Sequence, residues 1–161
     1  MLNRRESRQQ AFEFIFERSF GADSVDSMIL CAQAARDAEI SPYAQTVAEG
    51  VSAHQEEIDG YISAYSRARH IRRMSRVVLA ALRLAIYEIL YVDDLEPRIS
   101  INEAIELVKK FGEKDEAGFV NGVLGGFMKA YTAGEIKPSG VIGAQTAKEA
   151  HSGKDGEGEA Q

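Results

Sequence analysis

The sequence predicts an all-α protein of about seven helices. Three observations carry that reading. From Arg4 to Thr132 the apolar residues recur at helical spacing almost without a break. No segment alternates apolar and polar residues as a half-buried strand does. Only Pro42 and Pro97 interrupt this stretch, and both stand where a helix would begin.

Each element has its own signal. Arg4 to Phe20 carries Ala11, Phe12, Ile15, Phe16 and Phe20 at a spacing of three to four, and Gly21-Ala22-Asp23 ends it. Val25 to Ala38 places Met28, Ile29, Ala32 and Ala35 in register. Ser41-Pro42 pairs an N-cap hydroxyl with a proline at the first helical position and opens a third helix to about Ser52. A fourth, from about Glu56 to Arg67, turns Ile58, Ile62 and Tyr65 inward. Ser75 to Val92 is apolar on nearly all sides, which marks the central helix. It contains Arg83, and an isolated buried charge is very costly. A carboxylate partner is therefore expected, with Glu88, Glu103 and Glu106 as candidates.

Asp93-Asp94-Leu95-Glu96-Pro97 ends the central helix. Ser100 and Glu103 fit a capping box, Ile101, Ile105, Val108 and Phe111 follow on one face, and Gly112 stops the helix. The last helix starts near Asp115 and reaches Tyr131. Gly122, Gly125 and Gly126 lie inside it, each costing about 1 kcal/mol against alanine. Close helix–helix approach is the favoured reason for them, with room for a partner's backbone as the alternative.

Composition narrows the function. The 161 residues are 45% hydrophobic and 27% charged, as in a water-soluble globular domain. Six of the 14 glycines fall after Thr132, where the only large aliphatic residues are Ile136, Val141 and Ile142. Such a stretch buries too little apolar surface to offset its ordering entropy. The expected organisation is one domain over residues 1–132 and a disordered tail over 133–161. The single cysteine, Cys31, excludes an intrachain disulfide and any zinc site of several thiolates. It reads as a small core residue. His54, His70 and His151 stand apart from other ligand-type residues, and no strand precedes a phosphate-cradling glycine loop. No catalysis, metal or cofactor is expected. The apolar runs are too short to span a bilayer and the N-terminus lacks a signal-peptide core, so a cytoplasmic protein without a membrane partner is expected.

Two arginine clusters stand out on a chain of net charge −6. Arg4, Arg5 and Arg8 open the first helix, where positive charge opposes the helix dipole, and only Glu6 lies nearby in sequence. Arg8 continues the stripe of Phe12, Ile15 and Phe16. Guanidinium groups that hold phosphates beside an aromatic ring that stacks on a splayed base suit single-stranded RNA. A solvated, fraying terminus is the plain alternative. Arg67, Arg69, Arg72, Arg73 and Arg76 form a candidate second basic patch, with no acidic residue from Gly60 to Tyr87. Helix capping, or pairing with Asp93 and Asp94, would also account for it.

Four blocks resemble the NusB family of transcription antitermination factors, in the family's order. They are Arg4-Arg5-Glu6-Ser7-Arg8-Gln9-Gln10-Ala11 running into Ile15-Phe16; Leu82-Arg83-Leu84-Ala85-Ile86-Tyr87-Glu88-Ile89; Ile101-Asn102-Glu103-Ala104-Ile105-Glu106-Leu107 with Lys109-Lys110-Phe111-Gly112; and Phe119-Val120-Asn121-Gly122-Val123-Leu124. The resemblance implies two small helical bundles packed together. It implies pairing with a small-subunit ribosomal protein acting as NusE and binding of boxA-type single-stranded RNA. It also implies read-through of terminators, notably in ribosomal RNA operons, within an RNA polymerase antitermination complex. Carried over by residue, the RNA contacts are Arg4, Arg5, Arg8, Phe16, Phe111, Asp115 and Phe119. Asp115 would accept from an exocyclic amine of a base or cap its helix.

The chain departs from the family at Val78-Leu79, where an acidic residue and a basic or polar one are usual, and at Gly118, often polar or basic. The run from Arg67 to Arg76 is denser than the family's. Two alternative readings stay open: a homodimer module, and an accessory domain of an RNA methyltransferase. The latter would need a following catalytic domain, which is not expected here.

Overall fold

The computed structural model describes residues 1–21, 24–36, 39–67 and 69–136. They form seven α-helices and one short 3-10 turn, with no strand among them: α1 (Arg4–Arg18), α2 (Val25–Arg36), α3 (Pro42–Ala53), α4 (Gln55–Tyr65), the turn Ile71–Arg73, α5 (Arg76–Tyr91), α6 (Pro97–Phe111) and α7 (Glu116–Thr132). The all-α expectation holds. No helix among the described residues is long and apolar enough to cross a membrane.

α5 is the hub. Ser75 caps it, its side chain accepting from the Val78 N–H at 3.1 Å, and every residue from Ala80 to Tyr91 is buried. α1, α3, α4, α6 and α7 all pack on α5; α2 packs against α1 and α3, and α7 packs against α4 and α6. Ala11, Phe12, Phe14 and Ile15 are the buried apolar residues of α1, and they face α3 as well as α5. Each large side chain so buried contributes roughly 1.5–3 kcal/mol.

Several local expectations are corrected. α6 begins at Pro97, four residues before the proposed capping box would start it, because proline suits the first helical position. Ser100 is thereby buried inside the helix, and Glu103 is free to pair elsewhere. Arg83 has its carboxylate, but on α4. It grips Asp59 through two bonds, Nε to Oδ1 and Nη2 to Oδ2, both 2.8 Å. Cys31 is exposed, not core. The packed chain runs past Thr132 to Ile136, which is buried, while the tail from residue 137 and the helix end at residues 37 and 38 lie outside the described residues.

Two of the three glycines singled out in α7 are not where helices meet. Nothing lies within 4 Å of a Cβ built on Gly122 or Gly125, and only Gly126 would touch a neighbour, the Tyr65 ring at 3.5 Å. The close approach is at Gly50 of α3, where a Cβ would overlap the Tyr87 ring. Sequence could not reveal it, since the partner lies on another helix. Tyr87 itself is buried, and its hydroxyl has no hydrogen-bond partner among the described residues. Burial, then the neighbouring Tyr91, pushes that hydroxyl up to about 12.

Three stability measurements test this packing. In urea denaturation Leu82→Ala should cost about 2–5 kcal/mol, through lost transfer energy and a cavity; an unmoved midpoint would remove α5 from the centre. Tyr87→Phe keeps the ring against Gly50 and discards an unpaired hydroxyl, whose burial costs about 1–3 kcal/mol, so it should leave stability unchanged or raise it. Gly122→Ala and Gly125→Ala should each add up to about 1 kcal/mol, and a loss at either site would mean that its Cβ meets an obstacle.

Candidate nucleic-acid interface

α1 starts with a reciprocal cap that sequence reading did not single out. The Asn3 side chain accepts from the Glu6 N–H at 2.8 Å, and the Glu6 carboxylate accepts from the Asn3 N–H at 2.9 Å. The cap fixes the direction in which the following arginines leave the helix.

Those arginines divide. Arg4 is exposed and lies over the Tyr43 ring, 3.9 Å from its centroid. Arg5 reaches across to α6 and binds Glu103 twice, Nε to Oε1 at 3.1 Å and Nη2 to Oε2 at 2.7 Å, while its side chain stays 76% exposed. The hydrogen bond and charge of Glu103 raise the Arg5 pKa. Arg8 is different. Its side chain is 4% exposed, and its Nε donates to the Glu88 carboxylate at 2.9 and 3.2 Å. Burial alone would lower the Arg8 pKa, but the charge and hydrogen bond of Glu88 outweigh it and the net shift is upward.

Arg8 is thus a correction to the expected set of RNA contacts. It continues the aromatic stripe into the core, not along the surface, because α5 offers a fully buried carboxylate there. The expectation that only Glu6 offsets the cluster also fails, since Glu88 and Glu103 come from distant helices.

The aromatic candidates are assembled in part. Phe111, 41% exposed, stacks on buried Phe12 with centroids 5.4 Å apart. Phe12 stacks on half-buried Phe16 at 6.2 Å, and Phe16 meets Phe20 edge-on at 5.0 Å. Beside this row, a cleft of about 210 Å³ lies between α1 and α6, lined by Arg5, Gln9, Glu106 and Lys110 among others. Lys110 donates to Gln9 Oε1 at 2.8 Å and stands 5.3 Å from the Phe111 ring centroid. Sequence reading passed over Lys110. It sits in the last turn of α6, where the helix dipole favours a cation in any protein, so its charge alone carried no signal.

Asp115 is exposed at the head of α7, and its side chain makes no capping bond. Phe119, one helical turn on, is half-buried and makes no ring contact with Phe111; its face is taken by Arg69, whose guanidinium carbon is 4.5 Å from the ring centroid. Gly118 is exposed with open space at its Cβ position. Val78 is 1% exposed and therefore meets no partner at the surface; Leu79 beside it is half-buried. No cluster of metal-ligating residues occurs among the described residues.

An exposed phenylalanine beside a lysine and a cleft invites comparison with known proteins. The NusB family profile matches residues 5–129. The chain belongs to the NusB family. It is 38% identical over 128 residues to the transcription antitermination protein NusB of Natranaerobius thermophilus, covering 76% of this chain and 92% of that protein. With NusB of Nitratidesulfovibrio vulgaris (strain Miyazaki F) it shares 36% over 155 residues, covering 85% and 94%. Among solved structures, T. maritima NusB superposes with a TM-score of 0.69 at 28% identity, covering 80% of this chain and 92% of that one. A complex of the antitermination factors NusB and NusE with double-stranded RNA gives 0.71 at 27% identity, covering 80% and 97%. The NusB match thus takes in nearly all of α1 through most of α7, including Arg5, Arg8, Lys110, Phe111 and Phe119, with Arg4 just outside it.

The split among the arginines has a direct test in urea denaturation. Arg8→Ala strands the Glu88 carboxylate in the core, and breaking a buried pair from one side costs about 3–5 kcal/mol. Arg5→Ala should leave the midpoint almost unmoved, because an exposed pair is screened by water and salt. Equal effects of the two substitutions would contradict the assignment.

Proposed function

We propose that this chain is a transcription antitermination factor. On this reading it binds boxA-type single-stranded RNA together with a small-subunit ribosomal protein acting as NusE. The bound pair joins the RNA polymerase complex and promotes read-through in ribosomal RNA operons. The observation that carries the reading is Phe111, exposed on top of buried Phe12 with Lys110 and the Arg5 cleft beside it. A flat aromatic face with cations at its edge is what a single strand requires: rings stack on bases while cations hold phosphates. Support comes from the relatives, which carry the antitermination name, and from the similarity to a NusB–NusE complex with double-stranded RNA.

Each residue then has a role. Arg4, Arg5 and Lys110 hold phosphates; Arg5 keeps an exposed guanidinium while Glu103 orients it. Phe111, Phe16 and Phe119 stack on bases. Asp115, exposed and not engaged as a cap, accepts from an exocyclic amine. Arg8 holds α1 in place beneath them. The net charge of −6 repels RNA from the rest of the surface, so attraction is concentrated at the local patch.

Fluorescence anisotropy with a boxA-type single strand at several salt concentrations, with and without the ribosomal protein, tests the proposal. Three phosphate contacts at roughly −0.7 each give a slope of log K against log salt near −2. Arg4→Ala with Arg5→Ala should flatten that slope and weaken all sequences alike. Phe111→Ala should cost about 1–3 kcal/mol of stacking and leave the slope nearly unchanged. Binding should strengthen when the ribosomal protein is added. Wild-type affinity and slope in the double arginine variant would place RNA elsewhere on the molecule.

A further inference from the structure

The cleft between α1 and α6 has a volume of about 210 Å³, below the roughly 300–1,000 Å³ of a pocket for a drug-sized ligand. Its lining combines one buried apolar side chain, Leu107, with cations, carboxylates and an amide. Most of those polar groups are engaged with one another. Glu103 accepts from Arg5 at 3.1 and 2.7 Å. The Gln9 amide donates to Glu13 at 3.1 Å and accepts from Lys110 at 2.8 Å.

Two groups of the lining are not. Arg8 uses Nε on Glu88, and its Nη1 lies 3.7 Å from Glu103. Its Nη2 is buried and has no hydrogen-bond partner among the described residues. An unpaired buried donor of this kind is costly. The Glu106 side chain is 62% exposed, and its ion pair with Lys109 spans 3.8 Å, too long for a hydrogen bond. The cleft thus holds an unanswered N–H donor in its depth and a two-oxygen acceptor nearer to water.

A phosphate does not suit this lining, because Glu103 and Glu106 would repel it at close range. The edge of a base does, since it carries donors and acceptors side by side. Guanine alone sets two adjacent donors, N1–H and N2–H, beside an acceptor, O6. A carboxylate accepts from both donors as a fork, and a guanidinium N–H donates to O6. Adenine and cytosine would turn a ring-nitrogen acceptor toward the carboxylate, and uracil has one N–H between two carbonyls.

We propose that the cleft reads a single guanine splayed out of the bound RNA. Glu106 accepts from N1–H and N2–H, Arg8 Nη2 donates to O6, and Leu107 packs on the ring. Arg8 lies too deep for a strand that runs over the surface, so only a base that enters the cleft reaches it. Arg5 and Lys110 hold the flanking phosphates, and Phe111, whose ring centroid is 5.3 Å from the Lys110 ammonium, stacks on a neighbouring base. The inference rests on the RNA-binding reading and gives that site a base preference.

The test uses the full chain in anisotropy titrations with uridine strands of one length that carry a single central guanine, adenine, cytosine or inosine. The guanine strand should bind roughly five- to hundredfold more tightly than the adenine or cytosine strand. Inosine, which lacks only the N2 amine, should fall between. Glu106→Gln alters an exposed side chain, so the thermal melt should not move, and the preference for guanine should largely disappear. In nitrogen-15 spectra the Arg8 side-chain signals should shift with the guanine strand and stay in place with the adenine strand, a change that a purely structural Arg8 would not show. Equal binding of the guanine and adenine strands, or full preference in the Glu106→Gln variant, overturns the pocket and leaves RNA binding intact. Guanosine monophosphate that binds more tightly than the guanine strand would make the cleft a free-nucleotide site and overturn its assignment to RNA. Failure of the wild type to bind even a boxA-type strand, with or without the ribosomal protein, would overturn the RNA-binding reading itself.

Discussion

A carboxylate with no access to water governs the arrangement of this molecule. Glu88 lies in the most buried helix, and a bare charge there would be very costly. It accepts from Arg8 of α1 at 2.9 Å and from the Tyr43 hydroxyl of α3 at 2.5 Å, so three helices converge on one group. Burial and Glu88 together raise the Tyr43 pKa, keeping that hydroxyl protonated as a donor. Hydrogen bonds in this setting have direction, as apolar contacts do not. α1 must present Arg8 inward, and the rotation of α1 follows from that requirement.

The surface is a consequence of that rotation. With Arg8 turned in, Arg4 and Arg5 remain outside, one on Tyr43 and the other on Glu103. Phe12 enters the core four residues along, and Phe16 and Phe20 emerge step by step toward solvent. Phe111 then closes over Phe12 from α6. The exposed aromatic row is thus the outer edge of the same helix face that makes the core. The buried residues beneath it hold its rings in place.

An acidic protein can still attract a polyanion if its cations are grouped. Here the acids paired with arginines in the interior or at its edge, Glu88, Glu103 and Asp59, are absorbed by the fold. The α4–α5 segment carries cations with no such partners among the described residues. Net charge therefore says little about where the positive potential lies.

The helices were legible in the sequence because their signals are local. Apolar spacing, Ser41-Pro42 and Gly112 act within a few residues, and the all-apolar face of α5 announced its central place. The same locality explains the failures. Ser100 with Glu103 has the form of a capping box, yet Pro97 starts α6 earlier and Glu103 answers to Arg5, 98 residues away in sequence. Arg8 has the form of a surface cation and is a core residue. Arg83 was rightly given a partner, but which carboxylate lay opposite depended on how α4 crosses α5. Gly50 carried no local sign of the Tyr87 ring. Sequence by itself determined the secondary structure, the central helix and the family to which the motifs belong, since each depends on residues close together along the chain. Only the tertiary structure decided which charges are spent inside and which aromatic faces remain outside, because pairing and exposure are set by neighbours that only the packing of the helices brings together.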